Sequence, residues 1–236
     1  MPFDADHWLD TAAIDPAVRE LRPDYRALLV VADGLTPGPS DDLSERVLAA
    51  AEERARARFA DAPPEEHPHL AAWREAFRAF GAKPQRTRPS AEALLRRLDA
   101  GLPRVDRLTD LYNAVSITHA LPLGGEDLDH YRGPARLVRA EGDEPFEVTT
   151  GGEPAVEHPR PGEVVWRDDA GVTCRRWNWR QCVRTRLTYD TTRALFVCDA
   201  LGPLTDGELA AAGEELTAYL AEASPGARIA SRVLAD

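Results

Sequence analysis

The stretch LTDLYNAVSITHALPLGGEDLD, residues 108–129, divides the sequence into two parts with different patterns. Apolar residues from Leu108 to Val115 recur at helical spacing, until Pro122 and the pair Gly124-Gly125 break the pattern. Before this stretch the apolar residues follow mainly helical periods. After it they form short segments separated by Gly, Pro and Asp, which are typical of strands. This order predicts an α+β or layered α/β fold.

Helices dominate the part before residue 108, with one exception at ALLVVA (27–32). This apolar run ends at Asp33-Gly34 and predicts a strand buried on both faces. Ser40 and Ser90 are each placed to cap a helix. The predicted helices cover residues 43–59, 70–80 and 90–101.

Strands are predicted through most of the part after residue 129. Their sequences are ARLVRA (135–140), FEVTT (146–150), EVVWRD (163–168), VTCRRW (172–177) and ALFVCDAL (194–201). A helix capped by Thr205 and a last strand over residues 227–234 complete the pattern. We therefore expect a mixed, largely antiparallel sheet flanked by helices. We expect one domain over residues 1–236, with a strand and a helix of residues 1–69 packed on the rest.

Composition excludes several classes of protein. The net charge of -11 argues against a protein coated with basic surface, and Lys83 is the only lysine. Three cysteines do not form a disulfide framework. No apolar run is long enough to span a membrane, and the acidic N-terminus lacks the features of a signal peptide. We expect a cytoplasmic protein without membrane contact, cofactor, metal or obligatory protein partner.

Polar residues follow one face of the helix predicted in residues 108–129. Asp110, Asn113 and Ser116 recur three apart, and a predicted turn at Gly124-Gly125 and the acidic residues from Glu126 onward come next. This combination suits the wall of a polar ligand pocket, since the glycines allow close backbone approach. It is equally typical of side chains that stabilise local turns, and the pattern alone leaves both interpretations open.

The stretch TCRRWNWRQC, residues 173–182, is basic and tryptophan-rich within an acidic chain. A nucleic-acid surface, a cysteine clip and a pocket wall are all conceivable. In a regular strand Trp177 and Trp179 share one face while the arginines are divided between both, which disfavours a continuous basic ribbon. Cys174 and Cys182 lack the compact spacing of zinc ligands, and buried structural thiols are the commoner case.

Common nucleotide-binding and hydrolase motifs are absent from the sequence. Three of its blocks instead resemble the editing module, the B3/B4 domain, of the bacterial phenylalanyl-tRNA synthetase β chain, and more closely the freestanding proteins built from that module. These blocks are WREAFRAFGAKPQRTRPSAEALLRRL (73–98), LTDLYNAVSITHALPLGGEDLD (108–129) and the segment from EVVWRD (163–168) to ALF (194–196). The resemblance extends over residues 70–223.

The resemblance implies a function and a set of site residues. In the synthetase the module binds the acylated tRNA end and hydrolyses wrongly attached amino acids, tyrosine above all. Asp110 and Asn113 match the family's D-x-x-N helix, and Pro122, Asp127 and Asp129 match its P-x-x-x-x-D-x-D turn. Where the synthetase has a histidine two residues after this proline, the present sequence has Gly124.

Roles for these residues follow from the resemblance and from the undemanding chemistry of ester hydrolysis. The expected catalytic residues are Asn113, Gly124, Gly125 and Asp127, with the backbone N–H groups of the glycines as oxyanion donors. The expected substrate-binding residues are Asp110, Ser116, Glu126, Arg176, Trp177 and Asn178.

Two hypotheses for the function remain open. One is a trans-acting hydrolase of mischarged aminoacyl-tRNA. The other is a noncatalytic module that binds a tRNA end or a small amino-acid-like ligand, which Gly124 favours slightly. In both cases the expected partner is aminoacyl-tRNA or its acylated 3′ end.

Overall fold

The computed structural model of the protein describes residues 3–235. The helices are α1 (Ala5–Thr11), α2 (Pro16–Leu21), α3 (Asp42–Arg58), α4 (Pro68–Ala79), α5 (Ser90–Leu95), α6 (Arg107–His119) and α7 (Asp206–Ala223). The strands are β1 (Ala13–Ile14), β2 (Arg26–Asp33), β3 (Leu123–Asp127), β4 (Arg136–Arg139), β5 (Phe146–Thr150), β6 (Glu153–Glu157), β7 (Val164–Arg167), β8 (Val172–Arg175), β9 (Arg180–Gln181), β10 (Arg193–Ala200) and β11 (Arg228–Leu234). No helix in this part of the chain has the length and hydropathy needed to cross a membrane.

A four-stranded antiparallel sheet in the order β11-β2-β10-β3 forms the centre of the fold. Strand β2 pairs with β10 along its whole length, from Arg26 opposite Ala200 to Asp33 opposite Arg193. Both faces of β2 are buried, which explains its uninterrupted apolar run. The N-terminal segment therefore supplies an internal strand of this sheet.

A five-stranded sheet in the order β1-β4-β7-β8-β9 packs against one face of the central sheet. Leu29 and Val31 of β2 meet Trp166 of β7 and Trp177 in this interface. The β1–β4 pair is parallel and the other pairs of the sheet are antiparallel. A separate hairpin of β5 and β6 completes the strands. The predicted α+β fold with a mixed, largely antiparallel sheet is confirmed.

Helices α6 and α7 cover the other face of the central sheet. Leu28 and Val30 of β2 face this layer, and α3 packs on the outer side of α6. The Thr205 side chain caps α7 in a capping box with Glu208, as predicted. The Asp106 side chain caps α6 in the same way by accepting the N–H of Thr109.

Both serines predicted as helix caps have other roles. Asp41 caps α3 by accepting the N–H of Ser44, because a carboxylate one residue closer to the helix takes this position. The Ser40 hydroxyl instead donates to Asp110. Helix α5 starts after Pro89 without a side-chain cap, so Ser90 lies within it.

The Gly124-Gly125 pair lies inside strand β3, and the predicted turn at this point is wrong. A Cβ atom on Gly125 would lie 2.8 Å from Leu187 Cδ1 and 2.9 Å from Phe196 Cε1. Neighbouring side chains therefore occupy the space beside this residue. A glycine at this position therefore allows Leu187 and Phe196 to pack closely against the strand.

The stretch from residue 173 to 182 is a hairpin, and the predicted regular strand is wrong. Strand β8 ends at Arg175, and Arg176 and Trp177 adopt left-handed backbone angles with φ of 49° and 68°. The chain reverses there and pairs Arg175 with Arg180. Trp177 consequently enters the core, whereas Trp179 stays half-buried, so the two rings do not share a face.

Candidate functional site

A cavity of about 260 Å³, the acyl cavity, lies between α5, α6, β3 and the β8–β9 hairpin. Five residues singled out from the sequence line it, although they come from three separate segments. They are Asn113 on α6, Gly124 and Glu126 on β3, and Trp177 and Asn178 in the hairpin. The fold therefore brings the polar helix, the glycine strand and the tryptophan hairpin together around one space.

Two other predicted site residues, both on α6, lie outside this cavity and stabilise local structure. Asp110 accepts the Ser40 hydroxyl and the N–H of Val105 (3.0 Å). The Ser116 hydroxyl donates to the carbonyl of Leu121 (2.7 Å) at the end of α6. Their position on the same helix as Asn113 does not place them at the cavity, since each finds a partner next to its own end of the helix.

Asp127 also lies outside the acyl cavity, in contrast to its predicted catalytic role. Its carboxylate accepts the Thr191 hydroxyl (2.6 Å) and the N–H of Asp129 (2.9 Å). These bonds hold the turn that follows β3. Arg176 is outside as well, and its guanidinium lies 4.3 Å from the centre of the Trp179 ring.

The backbone of Gly124 and Gly125 does not form the predicted pair of oxyanion donors. The Gly125 carbonyl accepts from Gln181 Nε2 (2.8 Å), so the peptide groups of this residue face the outer edge of the sheet. Because successive residues of a strand alternate, those of Gly124 face β10, where Val197 is its partner. The two N–H groups therefore point in opposite directions.

Two buried carboxyl groups form the floor of the acyl cavity. Burial raises the pKa of the Glu126 carboxyl to about 7, and the Tyr131 hydroxyl donates to it. Burial also raises the pKa of the Asp199 carboxyl to about 7, and the nearby charge of Glu126 acts in the same direction. Asp199 accepts the Tyr25 hydroxyl (2.5 Å) and Asn178 Nδ2 (3.3 Å). Burial therefore shifts the pKa of both carboxyls towards neutral pH.

Asp199 was not identified from the sequence. It is the only charged residue in the apolar segment ALFVCDAL, and this contrast was the available signal. A carboxyl inside an otherwise apolar strand needs a partner or a function.

Several buried polar atoms around the cavity lack a partner. Within residues 3–235 no group hydrogen bonds to Trp166 Nε1, Trp177 Nε1 or Asn178 Oδ1. All three residues are more than nine-tenths buried and line the acyl cavity. Since buried polar groups are normally paired, these atoms are candidates for contact with a ligand, with Trp166 Nε1 lying near the Asp199 carboxyl and Trp177 Nε1 near the Tyr25 hydroxyl.

The rim of the acyl cavity differs from its floor in charge. Arg97 is exposed there, and Arg180 is half-buried beside Trp179, with its guanidinium 4.9 Å from the ring centre. Arg180 also binds Glu157 (2.6 Å). A cationic rim above an acidic floor suits a ligand with an ammonium group at one end and anionic groups at the other.

Histidine and cysteine do not supply the reactive groups of this cavity. His69 is buried, accepts the N–H groups of Trp73 (3.1 Å) and Leu201 (3.1 Å), and burial lowers its pKa to about 4. His119 binds Glu215 on α7 (2.7 Å). Cys174 lines the cavity, but burial raises the pKa of its thiol well above the ordinary value, which disfavours the nucleophilic thiolate.

Comparisons with known proteins agree with this geometry. The profile of the B3/4 domain family matches residues 72–217, a range that contains every residue lining the acyl cavity. The crystal structure of an N-terminal fragment of the phenylalanyl-tRNA synthetase β-subunit from Pyrococcus horikoshii superimposes with a TM-score of 0.50 at 13% identity. It covers 96% of this chain, which spans 54% of that fragment. A comparison with curated protein sequences gives no match. The shared fold and the matched residues confirm the resemblance found in the sequence: the chain belongs to the B3/4 domain family.

Proposed function

We propose that the chain hydrolyses mischarged aminoacyl-tRNA in trans and that the acyl cavity holds the amino acid. The observation that carries the proposal is the pair of buried carboxyls, Glu126 and Asp199, in the floor of a cavity within the family's matched range. Carboxyl groups whose pKa lies near 7 are suited to general acid–base catalysis at neutral pH.

The size of the cavity limits the ligand. Pockets for drug-sized ligands measure roughly 300–1,000 Å³, and the acyl cavity, at about 260 Å³, falls just below this range. It therefore suits one amino acid, with the nucleotide part of the substrate outside. The unpartnered groups of Trp166, Trp177 and Asn178 favour a polar amino-acid group at the floor.

A mechanism follows from these positions. Glu126 as a carboxylate takes a proton from water, whose oxygen forms a bond to the ester carbonyl carbon. The Asn113 amide donates a hydrogen bond to the carbonyl oxygen as it gains negative charge. When the ester C–O bond breaks, the protonated Glu126 returns its proton to the departing ribose oxygen. Asp199 holds the substrate ammonium group, because the two opposite charges attract in a buried site.

The test is a deacylation assay with one tRNA species charged with different amino acids. The proposal expects faster ester hydrolysis for at least one mischarged tRNA than in the absence of protein. Equal rates with and without protein for every amino acid contradict it.

A noncatalytic binding module is the second candidate function. Gly124 stands where the synthetase module has a histidine, and the two glycine N–H groups do not converge on one point. In this case the acyl cavity binds an amino-acid-like ligand without turnover. Saturable binding of a free amino acid, measured by calorimetry, together with no deacylation, identifies this alternative.

A further inference from the structure

A second cavity of about 250 Å³, the basic cavity, lies beside the loop that leads from α4 into α5. Its ionisable lining residues are Lys83, Arg86, Arg160, Glu163 and Arg176. Four cationic side chains therefore surround one carboxylate. This arrangement attracts anions.

Glu163 does not neutralise all four cations, because its carboxylate binds mainly Arg175. Its two oxygens accept from Arg175 Nε (2.8 Å) and Nη2 (3.0 Å), whereas Arg176 Nε is farther away, at 3.6 Å. Burial and the positive charges of Arg175 and Arg160 lower the pKa of the Arg176 guanidinium. The basic cavity thus holds more positive charge than its carboxylate balances.

The remaining three cations have no acidic partner. Within residues 3–235, Lys83, Arg86 and Arg160 form no salt bridge, although most arginines of the chain do. The chain offers 40 acidic residues for 29 Lys and Arg, so partners are abundant. Clustered cations without partners repel one another and do not stabilise the fold. Lysine and arginine in a concave site are instead the usual ligands of phosphate.

The basic cavity adjoins the acyl cavity through two shared elements. In the hairpin, Arg176 lines the basic cavity and the next residue, Trp177, lines the acyl cavity. Both residues have left-handed backbone angles, which are unusual for residues other than glycine. This conformation places the Arg176 side chain in the basic cavity and the Trp177 side chain in the acyl cavity. The loop over residues 80–87 lines the basic cavity and leads into α5, which lines the acyl cavity. The two cavities therefore flank the same hairpin turn.

We propose that the basic cavity binds a phosphate of the RNA whose esterified amino acid occupies the acyl cavity. This inference rests on the proposed function for the identity of the ligand. Trp179 at the junction adds an aromatic face beside arginine, a combination that proteins use to bind single-stranded nucleic acid.

Binding of uncharged RNA tests the basic cavity without any hydrolysis. A labelled single-stranded oligonucleotide of the tRNA 3′ end is titrated at several salt concentrations with wild type, R86A/R160A and R46A. Arg86 and Arg160 are exposed, so the double variant folds; Arg46 is an exposed arginine of α3 outside both cavities. For single strands each lost phosphate contact lowers the slope of log K against log salt by about 0.7. We expect a lower slope and weaker binding for R86A/R160A and wild-type values for R46A.

A charge-preserving variant and small anions complete the experiment. R86K/R160K is expected to keep the wild-type slope, since the contact is electrostatic. Identical RNA binding by wild type and R86A/R160A overturns the proposal. Binding of inorganic phosphate or of a mononucleotide without binding of the oligonucleotide also overturns it, because the site then serves a small anion.

Kinetics separate this inference from the proposed function. With mischarged tRNA, R86A/R160A is expected to raise KM and leave kcat unchanged. With an aminoacyl ester of adenosine, which carries no phosphate, the double variant and wild type are expected to hydrolyse at equal rates. If wild type hydrolyses neither substrate, the proposed function fails while the RNA titration still decides on the basic cavity. An equal loss of rate on both substrates contradicts the phosphate role.

Discussion

The buried polar side chains of this protein form two groups that differ in how completely they are hydrogen bonded. Asp110, Ser116 and Asp127 have protein partners for their oxygens and lie outside any cavity lining. Trp177 and Asn178 line the acyl cavity and carry atoms without partners. Both groups are buried. This contrast indicates that burial alone does not identify a ligand contact, whereas unsatisfied buried atoms make a residue a candidate for one.

The comparison predicts opposite effects of substitution in the two groups. A residue with complete partners contributes to the free energy of unfolding. A polar group of the acyl cavity contributes to binding and rate, and a substitution that removes this group but keeps the volume of the side chain leaves stability nearly unchanged or raised.

The largest effect is expected for Glu126→Gln. The variant keeps the shape of the side chain and removes the general base, so the deacylation rate falls by roughly 10²–10⁴-fold. Single-turnover hydrolysis of mischarged tRNA measures this rate. Glu153→Gln, which alters an exposed carboxylate of β6 outside both cavities, is the control and is expected to stay within a small factor of wild type. Equal rates for Glu126→Gln and wild type would remove Glu126 from the mechanism.

Asp127→Ala tests the opposite group. The substitution leaves the buried Thr191 hydroxyl and the Asp129 N–H without their acceptor, at a cost of about 1–3 kcal/mol in the free energy of unfolding. Urea denaturation measures this change, with the exposed neighbour Asp129→Ala as the comparison. A stable Asp127→Ala protein without deacylase activity would restore the catalytic role that the sequence suggested.

The pH dependence of stability tests the floor of the acyl cavity. Folding raises the pKa of Glu126 from 4.5 and that of Asp199 from 3.8 to about 7. The folded state therefore binds more protons than the unfolded state between pH 4 and 7, and the contribution of these groups to stability falls as pH rises through this window. Urea denaturation at pH 5 and pH 8 measures the change. The E126Q/D199N variant is expected to show a smaller difference in the free energy of unfolding between the two pH values than wild type. An equal difference in variant and wild type would show that burial does not raise the pKa of these two groups.

The smallest effect is expected for Ser116→Ala. It removes the hydrogen bond to the Leu121 carbonyl at the end of α6, with a loss of about 0.5–1.5 kcal/mol. Deacylation is expected to remain at the wild-type rate, which activity assays on the purified variant check. A reduced rate at unchanged stability would transfer Ser116 to the ligand-binding group.

The sequence predicted the elements that follow a clear period. Strand β2, helix α6 and the Thr205-capped helix α7 lie where their apolar patterns indicated, because the core faces of these elements repeat regularly. Asn113, Trp177 and Asn178 were recognised through motif and resemblance, and the structure places them around one cavity.

Other features depend on contacts between distant residues and carry little local signal. The glycines of β3 were mistaken for a turn, since only the packing of Leu187 and Phe196 shows why a strand needs Gly125 there. In the reversal after β8 the positive φ angles fall on Arg176 and Trp177, neither of which is a residue type that favours them. The basic cavity joins residues from three separate segments, which no sequence spacing connects.

The most direct test is a substitution at Gly124, a glycine of the cavity lining, because a new side chain there fills the acyl cavity. In Gly124→Leu the new Cβ lies about 3.0 Å from the flexible Gln181 amide, so the side chain enters the cavity without displacing backbone. The measurement is single-turnover deacylation of mischarged tRNA by wild type and Gly124→Leu, with binding of uncharged RNA as the control for folding. We expect wild type to accelerate hydrolysis and Gly124→Leu not to do so, while both proteins bind uncharged RNA. Equal hydrolysis by the two proteins, or no acceleration by wild type, would contradict it.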